Sequence, residues 1–137
     1  MRLLVDTNVL IYETFEDSDR HAEATDIVYA NEVYIPTIVL HEYIWLLLRH
    51  FFIGYAQVAE KLEQLLSEKN IHILCETPGD LAASLRMAKE DGAGPREVND
   101  YIILASALNR GLALATYDKN LRKAAIKRGL TVVPDTF

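Results

Sequence analysis

The chain has almost no cysteine. Cys75 stands alone among 137 residues, which excludes a disulfide framework and a cysteine-based zinc site. Long hydrophobic runs are also missing. The longest, "YIWLLL", ends at Arg49 and His50, well short of the roughly 20 apolar residues a membrane span needs, so no membrane association is expected. The N-terminus has only Arg2 ahead of three apolar residues and Asp6. That is not the pattern of a secretory signal, and the expected compartment is the cytoplasm. Positive charge is scarce: 14 Lys and Arg against 20 Asp and Glu leave a net charge of −6. Broad, unspecific nucleic-acid binding rests on Lys and Arg meeting phosphates, so it is not expected. His21, His41, His50 and His72 show no metal-ligand spacing and read as surface or core-edge residues. No repeat, low-complexity tract or linker interrupts the chain, and residues 1–137 read as one domain.

Half the residues are hydrophobic, enough for a sizeable core. They fall into short apolar runs alternating with helical patterns. Strands are expected near 2–5, 33–35, 71–74, 112–115 and 131–133. Helices are expected near 8–13, 19–30, 37–50, 55–68, 78–91, 98–110 and 119–128. The third and fourth helices read as a hairpin turning at Gly54, and Gly111 and Gly129 as C-terminal helix caps. Alternating strands and helices imply an α/β domain with a parallel sheet covered on both faces. Such sheets take their ligands beyond the C-terminal ends of the strands.

Two acids stand at those ends. Asp6 follows "LLV" and Asp118 follows "LALATY". Each is equally well read as the N-cap of the helix behind it, with Thr7 and Thr116 as hydroxyl caps. Glu42 is harder to explain as ordinary surface. At spacings of three and four its helical neighbours are Ile38, Val39, Trp45 and Leu46. An unpaired carboxylate buried in such a stripe costs several kcal/mol or more, so it calls for a partner or a metal. Asp100, beside Asn99, likewise opens an almost wholly apolar helix, although an acid there also suits the helix dipole. Four acids at two strand ends and two apolar helix faces form the oddest polar pattern in the chain. Carboxylates without His or Cys partners suit a hard cation, Mg²⁺ or Mn²⁺. Two such ions ~4 Å apart assist phosphodiester hydrolysis. Two divalent ions would also bring the net charge from −6 to −2.

The segments "LLVDTNVLIY", "TIVLHEYIWLL", "NDYIILASALNRG" and "LATYDKNL", in this order, resemble PIN-domain ribonucleases of the VapC type, the toxins of toxin–antitoxin pairs. The resemblance implies a three-layer α/β/α domain around about five parallel strands. It implies Mg²⁺- or Mn²⁺-dependent cleavage of single-stranded or looped RNA, a cognate antitoxin and a homodimer. Asp6, Glu42, Asp100 and Asp118 match the family's acidic quartet, with Asp6 and Asp100 at its principal metal ligands. Thr7, Asn8, Asn99 and Thr116 match polar positions that orient the acids or the water. The chain departs from the pattern at Asn120, where family members often carry a further acid.

Other functions fit less well. An aspartyl-phosphate phosphatase needs a second acid where Asn8 stands. A receiver domain needs a phosphorylated Asp and a Lys that "ILCETPGD" and "VVPDTF" do not supply. The alternative outside catalysis is a PIN-like module that binds RNA or protein without cleaving; retention of all four acids speaks against it. Arg20, Arg96, Lys119 and Arg122 read equally as phosphate contacts or ordinary surface charges. Trp45, Phe51, Phe52 and Tyr55 read as core, with a surplus that suits a dimer or antitoxin contact.

Overall fold

The computed structural model describes residues 1–136; position 137 of the expected domain lies outside the described residues. Five strands form one sheet: β1 (Arg2–Val5), β2 (Glu32–Pro36), β3 (Ile71–Leu74), β4 (Ala113–Ala115) and β5 (Val132–Val133). The order is β3-β2-β1-β4-β5 and every pairing is parallel. Leu3, Leu4 and Val5 are all buried. Successive strand residues point to opposite faces, so both faces of the sheet are covered, as a parallel sheet requires.

The cover is supplied by α1 (Thr7–Thr14), α2 (His21–Tyr29), α3 (Thr37–Arg49), α4 (Tyr55–Leu66), α5 (Pro78–Glu90), α6 (Val98–Arg110) and α7 (Lys119–Lys127). A short 3₁₀ turn, Pro95–Glu97, leads into α6. Each expected element is present, with ends shifted by one or two residues. Gly111 ends α6 at φ +63°, in the left-handed region that glycine enters without steric cost. Gly54 is the N-cap of α4, its N–H bonded to Gln57 Oε1 at 3.1 Å. One hydrophobic cluster joins the inner residues of the strands to α1–α4, α6 and α7. No helix among the described residues is long and apolar enough to cross a membrane.

Two expectations fail. The hairpin aromatics are not core: Trp45 is 56%, Phe52 86% and Tyr55 83% exposed. Only Phe51 packs inward, its ring 4.5 Å from that of Phe15. Apolar spacing marks a helix face but not whether anything covers it. The four acids are also not the only oddly placed polar groups, since Asp80 and Glu13 are buried too.

Strand order positions the site. β1 is flanked by β2 on one side and β4 on the other, so the connection after β1 runs towards one edge of the sheet and the connection after β4 towards the other. A crevice opens at such a switch point. Asp6 follows β1 and Thr116 follows β4, which places them side by side across it.

Candidate metal centre

Asp6 is 5% exposed. It is the N-cap of α1, with Oδ1 accepting from the Thr7 N–H at 2.8 Å. Oδ2 accepts from Thr116 Oγ1 at 2.7 Å and Asn8 Nδ2 at 3.3 Å. Its own N–H reaches across to the Ala115 carbonyl at 2.9 Å. Asn8 Oδ1 accepts from the Tyr117 N–H at 3.1 Å, and Nδ2 donates to Thr116 Oγ1 at 3.4 Å. Asn8 and Thr116 thus stitch the ends of β1 and β4 together and hold the Asp6 carboxylate between them. Thr7 is buried, and its hydroxyl has no hydrogen-bond partner among the described residues.

Asp118 is half-buried and caps α7, its Oδ1 accepting from the N–H groups of Asn120 at 2.8 Å and Leu121 at 3.0 Å. Its own N–H donates to Thr116 Oγ1 at 3.0 Å. Capping and membership of an acidic site are therefore compatible for both aspartates. Arg122 braces this corner. It is buried and donates to the Thr116 carbonyl at 2.9 Å, to the Asp135 carbonyl at 3.2 Å and to the Pro134 carbonyl. It is neither a surface charge nor exposed to phosphate.

Glu42 on α3 and Asp100 on α6 are half-buried, and their charges act on the same place. Burial first, then the charges of Glu42 and Asp118, push the Asp6 carboxyl up to about 6, against the hydrogen bonds from Thr116 and Thr7. Asp100 is pushed up to about 7, first by burial and then by the charges of Asp6, Asp118, Glu42 and Glu97. The four acids are therefore electrostatic neighbours, although they come from four separate elements. Asn99 is exposed on the first turn of α6 and makes no hydrogen bond among the described residues. Glu97, three residues before Asp100, was not anticipated. Its place in the 3₁₀ turn brings a fifth negative charge near the group.

An all-oxygen donor set, two carboxyls raised by burial and by neighbouring carboxylates, and a buried hydroxyl without a partner among the described residues fit a hard divalent cation. No three acidic, histidine or cysteine side chains among the described residues are close enough to hold an ion as they stand. Like charges oppose that last approach, and a cation between them removes the opposition.

The same architecture is found elsewhere. A family profile described as PIN domain matches residues 3–127. The chain belongs to the PIN-domain family. No curated protein matches it. Similar solved structures include VapC20 from Mycobacterium tuberculosis, a sarcin–ricin loop cleaving toxin. It is 17% identical with a TM-score of 0.73, over 89% of this chain and 94% of that one. FitAcB from Neisseria gonorrhoeae is 22% identical, TM-score 0.68, over 95% of each chain. VapBC2 from Rickettsia felis, bound to a DNA fragment from its promoter, is 18% identical, TM-score 0.69, over 96% of this chain and 97% of that one. At these identities the likeness shows the PIN fold.

Proposed function

We propose that this PIN domain is a metal-dependent ribonuclease, the toxin of a VapBC-type pair. What supports the reading most is the nearness of Asp6, Glu42, Asp100 and Asp118 to one another beside the β1/β4 switch point, none of them paired with a Lys or Arg among the described residues. The likeness in fold to VapC20, a sarcin–ricin loop cleaving toxin, supports it. A module that only binds gains nothing from four acids that repel one another.

Asp6 and Asp100 are the principal groups to hold Mg²⁺ or Mn²⁺, with Glu42 and Asp118 beside them. A bound divalent cation supplies the positive charge that acidifies water and neutralises the phosphate under attack. Thr116 and Asn8 fix the Asp6 carboxylate in one orientation. The Thr7 hydroxyl is buried beside Asp6 with no partner among the described residues. Among the described residues no Ser, Cys or His is bonded to the acids as a protein nucleophile, so water attacks. Water attack leaves a 5′-phosphate and a 3′-hydroxyl.

The protein partner is an antitoxin. Trp45, Phe52 and Tyr55, exposed on the α3–α4 hairpin, suit a protein contact, because aromatics of this kind anchor interfaces. A second copy of the chain completes the assembly, and the site of action is the cytoplasm. The test is cleavage of single-stranded RNA in Mg²⁺ or Mn²⁺, stopped by EDTA, with both new ends identified. A 2′,3′-cyclic phosphate, or full activity in excess EDTA, contradicts the reading.

A further inference from the structure

A cleft of about 520 Å³ opens beside Asp100, between the loop that follows α5 and the outer face of α7. That volume lies within the range of small-ligand sites. Its walls differ in chemistry. The loop wall is acidic in sequence, but Asp91 and Glu90 are paired with cations, and Glu97 is held by a backbone N–H. Asp91 accepts from Tyr101 Oη at 2.7 Å, from Arg128 at 3.0 Å and from Lys127. Glu90 pairs with Arg128 at 3.3 Å, and Glu97 Oε2 accepts from the Gly94 N–H at 3.1 Å. Leu121 and Ala124 give the cleft apolar lining, and Tyr101 lines it too.

On the α7 wall stand Asn120 and Lys123. Lys123 is exposed and makes no hydrogen bond or ion pair among the described residues. It is therefore an uncommitted cation facing a cleft whose other end is Asp100. Asn120 is a neutral amide, so it does not repel a phosphate as a carboxylate would.

We propose that this cleft seats the nucleotide next to the cleaved phosphate of single-stranded RNA, with Lys123 on a flanking phosphate and Tyr101 against the base. The proposal rests on the ribonuclease reading for which phosphate is cleaved, but seating of the strand is tested separately. Apolar lining with an aromatic side chain suits a base that is free to unstack. A base within a duplex is already stacked and paired and does not enter. Lys123 is a positioning residue: it acts on strand binding and leaves the acids untouched.

The probe is a fluorescein-labelled single-stranded RNA of mixed sequence, bound to the Asp6→Asn chain in Mg²⁺ and followed by anisotropy. Lys123→Glu lowers affinity about tenfold or more and Lys123→Ala reduces the salt slope by about 0.7, as loss of one phosphate contact requires. Lys123→Arg retains binding. Lys69→Glu makes the same charge change ahead of β3, at the other edge of the sheet, and also leaves binding intact. In the otherwise unaltered chain Lys123→Ala raises KM and leaves kcat within about twofold. Equal loss in Lys69→Glu, equal affinity for double-stranded RNA, or an unchanged KM in Lys123→Ala overturns the proposal while cleavage itself stands. Strand binding that depends on Lys123 without any cleavage in Mg²⁺ or Mn²⁺ upholds the cleft and overturns the ribonuclease reading. Absence of RNA binding altogether overturns both.

Discussion

Asp80 and Asp6 are both buried aspartates at the start of a helix, and their surroundings are opposite. Asp80 is 1% exposed and sits in the first turn of α5. Arg110 grips it with two nitrogens at 3.0 and 2.9 Å, and Asn109 Nδ2 and the Thr77 N–H each donate at 2.8 Å. Burial opposes its ionisation, but these bonds outweigh burial and hold the carboxyl well below the usual range. Asp6 also accepts hydrogen bonds, yet from neutral donors only, and other carboxylates surround it. Asp80 carries its counter-charge within the chain and is complete. The Asp6 group has no such partner among the described residues, and the proposed cation is what would complete it. A buried acid alone says little about function; a buried acid with no Lys or Arg bonded to it among the described residues says more.

The largest expected effect breaks the Asp6 side of the comparison. Asp6→Asn keeps the size and capping ability of aspartate and should lower cleavage by about 10²–10³-fold, with an unchanged circular-dichroism spectrum. The mirror experiment is Asp80→Ala. It leaves the Arg110 guanidinium without its partner and should cost about 2–3 kcal/mol of stability by urea denaturation. Its kcat should stay near that of the unaltered chain. Loss of activity in a folded Asp80→Ala chain would show that the two regions are not separate.

The two regions also respond oppositely to pH. Asp80 has a folded pKa below its unfolded value, so its contribution is present above about pH 4 and is lost as pH falls. Asp6 and Asp100, raised to about 6 and about 7, work in the other direction. Between about pH 4 and pH 7 the unfolded chain gives up protons that the folded chain keeps, so stability falls as pH rises. In EDTA the melting temperature should therefore drop across that window, and Asp100→Asn should flatten the drop. A flat profile in the unaltered chain would mean that the Asp6 and Asp100 carboxyls are not raised in the folded state. The smallest effect sharpens the geometry: Asn8→Ala removes the stitch between β1 and β4 and should cost about 1 kcal/mol, with a modest loss of kcat.

Much of this was legible in the sequence. The alternation of "LLV", "EVYIP" and "LALA" with helical runs defines a parallel α/β sheet, and glycines 111 and 129 mark helix ends by their backbone freedom. Asp6 and Asp118 stand out because an apolar strand stops on an acid. Glu42 and Asp100 stand out because an acid interrupts an apolar face. What stayed hidden depends on partners distant in the chain. Asp80 meets Arg110 thirty positions away; only the "TPGD" start of α5, a capping box with Thr77, hinted that its carboxylate was engaged. Arg122 reads as one basic residue on a basic helix and is buried because the carbonyls of Thr116, Pro134 and Asp135 meet there. Trp45, Phe52 and Tyr55 have the composition of a core and lie outside it, because periodicity does not show what covers a face.

The central claim is that the acids at the β1/β4 switch point await a cation. Calorimetric titration with Mn²⁺ of the unaltered chain, Asp100→Asn and Asp80→Asn tests it most directly. Saturable binding that Mg²⁺ competes for, lost in Asp100→Asn and kept in Asp80→Asn, is the predicted result. Binding of Mn²⁺ to Asp100→Asn as tight as to the unaltered chain, or no binding to the unaltered chain, would contradict it.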